Sequence, residues 1–127
     1  MLRYLYATDL DRFPRLARGM FRDRAVQFRD RLGWAVEVDA DGAETDAYDA
    51  LNPLYVIWEE PDGSHGGSMR FLPTTGPVMV NDHFGHLTSG PIVSPLIWEC
   101  TRFCLSPTTG AQVAAARSCR ALASHIS

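Results

Sequence analysis

Arg24 lies four residues before Phe28, inside a run where Phe21, Ala25, Phe28 and Leu32 recur at i, i+4, i+7 and i+11. That spacing is one apolar face of a helix. A guanidinium on the same face points inward, and a buried charge is costly unless it is paired. The chain supplies partners. Glu44, Asp46 and Asp49 follow within a short acidic stretch, and Arg70 and Arg102 add two further guanidinium groups. If residues 44–46 are extended, Glu44 and Asp46 project to one side. Arginine's planar fork suits bidentate pairing with carboxylates. Such residues build either the charged wall of a polar cleft or a purely structural network. The structural account suffices for Arg24 and Asp49. Asp46 and Arg70 are expected to face a substrate, and Glu44 to lie at the surface.

Trp34 follows Gly33 at the end of the same helical run, a position suited to a pocket wall. Phe28 suits either that wall or the core. Arg22 and Arg29 belong to a basic cluster interrupted by Asp23 and Asp30, which reads as a solvated, ion-paired face. The net charge of −3 gives no basic field for nucleic acid or an anionic membrane. Cys100, Cys104 and Cys119 are an odd set without framework spacing, so free thiols in a reducing cytoplasm are expected and no metal site. No apolar stretch approaches the roughly 18 residues that span a bilayer. Arg3, Asp9 and Asp11 break any N-terminal apolar run, so no signal peptide is expected.

The elements that must position these residues follow from pattern. Residues 2–7 read as a first strand, and 9–34 as helix interrupted near Pro14 and Gly19, with Gly33 as its stop. Residues 35–38 read as a second strand, 39–42 as a turn, and 44–53 as a loop crossing the end of a sheet. Residues 54–59 form a buried apolar strand, 61–67 a hairpin turn, and 68–72 a strand carrying Arg70. Loop and short helix occupy 73–90, with Phe84 and Leu87 as packing residues, and 97–105 is the next strand. The alanine-rich stretch 111–126 has good helix propensity, with Thr109 as its cap. With 127 residues, 46% of them hydrophobic, and no linker or repeat, one domain over 1–127 is expected. Strands alternating with helices predict an α/β fold.

The spaced pattern Arg24, Phe28, Arg31, Trp34, Val36, Glu44, Asp46, Tyr48, Asp49 resembles that of the acyl-homoserine-lactone synthases. So do the run from Arg70 to Pro77, then Phe84, and the run from Ile97 to Phe103. The resemblance implies an acetyltransferase-like mixed sheet flanked by helices, lacking its C-terminal part. It implies transfer of an acyl group from acyl carrier protein to the amine of S-adenosylmethionine, a substrate rather than a cofactor, followed by lactone closure. By the same resemblance, Asp46, Asp49, Arg24, Arg70 and Arg102 shape the cleft. Phe28, Trp34, Phe84 and Thr101 line it, and Glu99 accepts the amine proton or positions a water. Glu99 paired with Arg102 in a structural role is the alternative. Glu99 and Arg102 are three apart, so a regular strand puts them on opposite faces. A bulge near Cys100 or Thr101 is therefore expected, and its freed N–H could stabilise a thioester oxyanion. Asp23 stands where the family has an apolar residue and is expected to face away from Phe28. Two further readings stand beside the synthase. One is a non-catalytic remnant that binds S-adenosylmethionine or a protein partner. The other is a coenzyme A-dependent acetyltransferase, disfavoured because residues 106–110 lack a glycine-rich phosphate cradle.

Overall fold

Four antiparallel strands, β1 (Leu2–Tyr6), β2 (Leu54–Glu59), β3 (His65–Pro73) and β4 (Trp98–Leu105), lie side by side in that order. The computed structural model describes residues 1–83 and 89–108. Phe84, Leu87, Thr109, Cys119 and the expected helix 111–126 lie outside those residues. Strand alternation sends Leu5, Tyr55 and Ile57 to one face of the sheet. There they meet Leu16 and Met20 of helix α1 (Pro14–Ala25) in the main core.

Pro14 opens α1 at its first turn, where a missing N–H costs nothing. Gly19 does not interrupt the helix as expected. A Cβ there would come within 3.2 Å of the His65 Cβ, so glycine lets α1 approach β3 closely. Residues 26–31 continue as a π-helical turn, with Leu32 N–H donating to the Gln27 carbonyl at 3.0 Å. The wider turn rotates the face that regular helical spacing extrapolates. Phe28 stays buried, but Leu32 is 53% exposed and not on the apolar face as expected. Gly33 ends the segment at φ +68°, the left-handed conformation that favours glycine.

The expected strand at 35–38 does not form. Among the described residues its one ladder contact is a bridge from Val38 to Glu44, and the Val36 N–H turns back to the Trp34 carbonyl at 3.0 Å. Instead the arm turns back at residues 39–42, where the Asp39 carboxylate accepts the N–H groups of Asp41 and Ala43. This return delivers Glu44, whose N–H donates to the Phe21 carbonyl at 3.0 Å. A 3₁₀ turn over Ala47–Leu51 follows. Asp46 caps it through Tyr48 N–H at 3.0 Å, and Asp49 accepts the Asp46 N–H at 2.8 Å in return. The short helix α2 (Met79–Asp82) then packs near β4.

β4 carries the expected bulge. Ser68 pairs with Cys104 but Arg70 pairs with Thr101, so β4 spends one extra residue over the same span. The irregularity falls just after Thr101, at Arg102, whose φ is +55°. An arginine in the left-handed region is strained, and its side-chain ion pairs hold it there.

Candidate active site

Three arginines from three elements converge on the acidic stretch. Arg24, on α1, bonds both oxygens of Asp49 at 2.9 and 3.0 Å and Glu44 at 2.8 Å. Arg70, on β3, grips Asp46 at 2.5 and 3.1 Å and reaches Asp49 at 3.3 Å. Arg102, at the bulge, binds Glu44 at 2.7 Å and Asp46 at 3.0 Å. Glu44 and Asp46 therefore do project to one side, and Arg102 bridges them. Glu44 is the correction: expected at the surface, it is 0% exposed, because both Arg24 and Arg102 require its carboxylate.

The electrostatics follow from burial. Desolvation alone would push the Asp49 carboxyl up. The Arg24 hydrogen bonds and charge, the Tyr55 hydroxyl at 2.5 Å and the nearby Arg70 outweigh it and hold that carboxyl below the ordinary range. Burial likewise works against the Arg24 charge, and its bonds to Asp49 and the field of Glu44 more than offset this. Burial raises the Tyr55 hydroxyl, with Asp49 adding to the shift, so Tyr55 stays a proton donor. Tyr48 is pushed up to about 12 by burial and by its bond to Asp82.

A pocket of about 900 Å³ opens beside this network, between the π turn, the arm after Trp34, the start of α2, and β4. Phe28, Trp34, Glu99, Thr101 and Arg102 line it, as expected. Arg24, Asp46, Asp49 and Arg70 do not. Arg70 is 1% exposed and sits behind Thr101, whose hydroxyl accepts its Nε at 3.0 Å. Arg70 and Asp46 thus brace the wall rather than face the pocket, and Arg24 and Asp49 lie behind it too. Phe84 lies outside the described residues.

Glu99 is not paired with Arg102. Its carboxylate accepts the N–H groups of Met79 at 3.0 Å and Val80 at 2.7 Å, tying β4 to the start of α2. The bulge serves a different partner than expected: it turns Arg102 toward Glu44 and Asp46. Trp34 stacks on Phe28 with centroids 4.9 Å apart and planes 22° apart, and the Arg102 guanidinium lies 5.3 Å over the Phe28 ring. Phe28 is 3% exposed under these contacts, whereas Trp34 is 49% exposed, so the accessible aromatic surface belongs to Trp34.

Sequence reasoning passed over Gln27, Met79, Val80 and Tyr55, none of which stands out by type or spacing. Asp23 turns from Phe28 and pairs with His65, Oδ2 to Nδ1 at 2.6 Å, while the other imidazole nitrogen meets Ser68 Oγ at 2.8 Å. The polar residue on α1 is thereby satisfied. Arg29 pairs with Asp30 at 2.9 Å on the exposed face, as expected. Among the described residues, no cluster of His, Cys, Asp or Glu is placed to hold a metal ion. No helix among them is long and apolar enough to cross a membrane.

Cys100 lines the pocket while Cys104 is fully buried. Burial pushes the Cys104 thiol up to about 12 and, with Glu99, raises Cys100 less. Thiolates, not thiols, are alkylated. Iodoacetamide at mild pH should therefore modify Cys100 and spare Cys104 until the chain is unfolded. Peptide mass mapping that found Cys104 modified first would contradict this packing.

An antiparallel sheet with α1 packed on one face, and a charged brace behind an aromatic and carboxylate-lined pocket, make an α/β fold. Comparison with known proteins identifies it further. The sequence profile of the autoinducer synthases matches residues 11–126, and the chain belongs to that family. It is 49% identical over 113 residues to an acyl-homoserine-lactone synthase of Rhizobium etli, covering 87% of this chain and 53% of the relative. It is 42% identical over 91 residues to one from Pseudomonas aeruginosa, covering 68% and 45%. Among solved structures it resembles the acyl-homoserine-lactone synthase LasI, with TM-score 0.73, 34% identity, and 98% and 64% of the two chains covered. It also resembles BjaI, a coenzyme A-dependent synthase solved with S-adenosylmethionine and isopentyl-CoA, with TM-score 0.75, 29% identity, and 85% and 52% covered. The chain spans about half the length of the curated relatives it matches.

Proposed function

We propose that this chain binds S-adenosylmethionine in the pocket beside Trp34 and, as an acyl-homoserine-lactone synthase, joins the substrate's amine to an acyl group. The observation that carries this reading is that an open tryptophan face and the Glu99 carboxylate line one pocket, braced by Arg102. Aromatic faces attract cations, and the substrate carries a sulfonium. With Phe28 buried and Trp34 half exposed, Trp34 receives that charge and Phe28 supports it. A carboxylate has about four lone-pair sites. Two of those on Glu99 are used by α2, and the others remain for the substrate amine or a water.

The amine is protonated for the most part at neutral pH and must lose that proton to attack. Glu99 accepts it, directly or through a water. The amine nitrogen then attacks the thioester carbonyl and the thiolate leaves with a proton. The substrate's carboxylate oxygen next displaces the neutral thioether from the γ carbon, closing the lactone and releasing methylthioadenosine. The acyl donor is a thioester on acyl carrier protein. Coenzyme A is the second reading, favoured by the relatives BjaI and MesI, both described as coenzyme A-dependent. Free Cys100 and Cys104 suit a cytoplasmic setting.

Isothermal titration with S-adenosylmethionine tests the pocket. Trp34→Ala should weaken binding by about three- to thirtyfold, the range of a cation–aromatic contact. A variant that binds as tightly as the parent would remove the sulfonium from this wall. Mass spectrometry after incubation with acylated carrier protein or acyl-CoA then separates synthase from remnant. Lactone formation supports the synthase. Binding without lactone supports a non-catalytic binder.

A further inference from the structure

Among the described residues, no strand pairs with the outer edge of β4. Unpaired backbone groups on an edge invite strand addition, and proteins cover or block them. On β4 one side chain does this. The Gln27 amide donates to the Phe103 carbonyl at 2.8 Å and accepts the Leu105 N–H at 3.0 Å. A donor facing a carbonyl and an acceptor facing an N–H fix which way the amide points. One residue from the π turn thus makes the pair of bonds that a neighbouring strand would make.

The bulge is what permits this. The Ile97 carbonyl and the Ser106 N–H both bond toward β3, to Thr74 and Gly66. These two positions, one on each side of β4, are an odd number of residues apart, so a regular strand between them would send them to opposite edges. The extra residue after Thr101 switches the alternation and brings Phe103 and Leu105, rather than Arg102 and Cys104, to the outer edge. The same extra residue aims Arg102 at Glu44 and Asp46. Gln27 directly precedes Phe28, and both it and Phe103 line the pocket.

We propose that Gln27 is a positioning residue: its amide ties the π-turn wall of the pocket to the bulged strand and closes the Phe103–Leu105 edge. The edge left for a carbonyl-bearing substrate is then residues 98–101, beside Glu99. The link to substrate rests on the proposed function; the clamp itself does not.

The test uses Gln27→Met, which keeps the length and apolar volume but has no amide, and Gln27→Glu, which keeps an acceptor for Leu105 and loses the donor for Phe103. Hydrogen exchange on the whole chain reads the clamp. The Leu105 amide should exchange about thirtyfold faster in Gln27→Met, as expected when two hydrogen bonds are lost. In Gln27→Glu it should stay close to the parent. Titration with S-adenosylmethionine reads the pocket: Gln27→Met should bind about tenfold more weakly, and Gln27→Glu should fall between, as expected when wall alignment costs about one hydrogen bond. Unchanged Leu105 exchange in Gln27→Met overturns the clamp whatever binds. Faster exchange with unchanged binding overturns the positioning role. If the parent chain does not bind S-adenosylmethionine, the proposed function fails and with it the positioning role, while the exchange data still decide the clamp. Should Gln27→Met not fold, the Gln27→Glu pair of readouts decides the case, since loss of binding with Leu105 still protected is the signature of the lost Phe103 tie.

Discussion

Replacing Arg24 by methionine is expected to lower the unfolding free energy by about 3–5 kcal/mol, the cost of breaking a buried ion pair from one side. The guanidinium is 1% exposed and holds two carboxylates at once. Methionine fills much of the space but leaves the Asp49 carboxylate with Tyr55, Arg70 and a backbone N–H, and Glu44 with Arg102 alone. Lysine should not rescue the fold, because one ammonium cannot make the forked contact to Asp49 while reaching Glu44. Urea unfolding at neutral pH measures the effect, and a loss below about 1 kcal/mol, the range of an exposed pair, would show that the network is not a brace. Acid gives a second readout. The folded Asp49 carboxyl is held below its ordinary value. Its contribution is therefore fully present above the unfolded carboxyl pKa of about 3.9 and is lost as pH falls through the depressed value. Parent stability should decline below about pH 4, and the Arg24→Met chain, having already lost much of this contribution, should decline less.

How much of this was legible in the chain depends on whether a residue's neighbours in space leave a mark in its neighbours in sequence. Arg24 did, because a charge on an apolar helical stripe demands partners, and the acidic stretch with Arg70 and Arg102 supplied a closed set. The β4 bulge was legible in the spacing of Glu99 and Arg102, although the two residues are not brought together by it. Glu44 was not legible. A single acid in an irregular loop carries no periodicity, and its burial is decided by two arginines far away in sequence. Leu32 was misplaced because periodicity assumes a constant turn, and the π turn at residues 26–31 breaks that assumption. Residues 35–38 carry the composition of a strand, but the Val36 N–H bonds back to the Trp34 carbonyl and no ladder forms. Gln27 left no signal: its role is set by backbone groups at Phe103 and Leu105, which any residue would carry.

The same distinction divides the expected site. The residues expected to build the site separate into a pocket surface of Phe28, Trp34, Glu99, Thr101 and Arg102 and a layer of Arg24, Asp46, Asp49 and Arg70 behind it. Arg102 belongs to both, lining the pocket while its Nε and one terminal nitrogen hold Glu44 and Asp46. Changes in the rear layer should act on stability and on the pose of the wall together. Changes at the front should act on the chemistry with the fold intact.

Glu99 is where that separation is sharpest. Glu99→Gln should slow lactone formation by about 10²–10⁴-fold, the usual contribution of a positioned general base. Affinity for S-adenosylmethionine should fall by less than about tenfold, because glutamine is isosteric and loses only one of the two bonds to the start of α2. A purely structural Glu99 predicts the reverse. Its amide nitrogen would face the Met79 or Val80 N–H, loosen α2, and weaken binding while the rate at saturation held. A glutamine variant that turns over near the parental rate at saturation would leave Glu99 as the tie between β4 and α2 and require the amine proton to leave by another route.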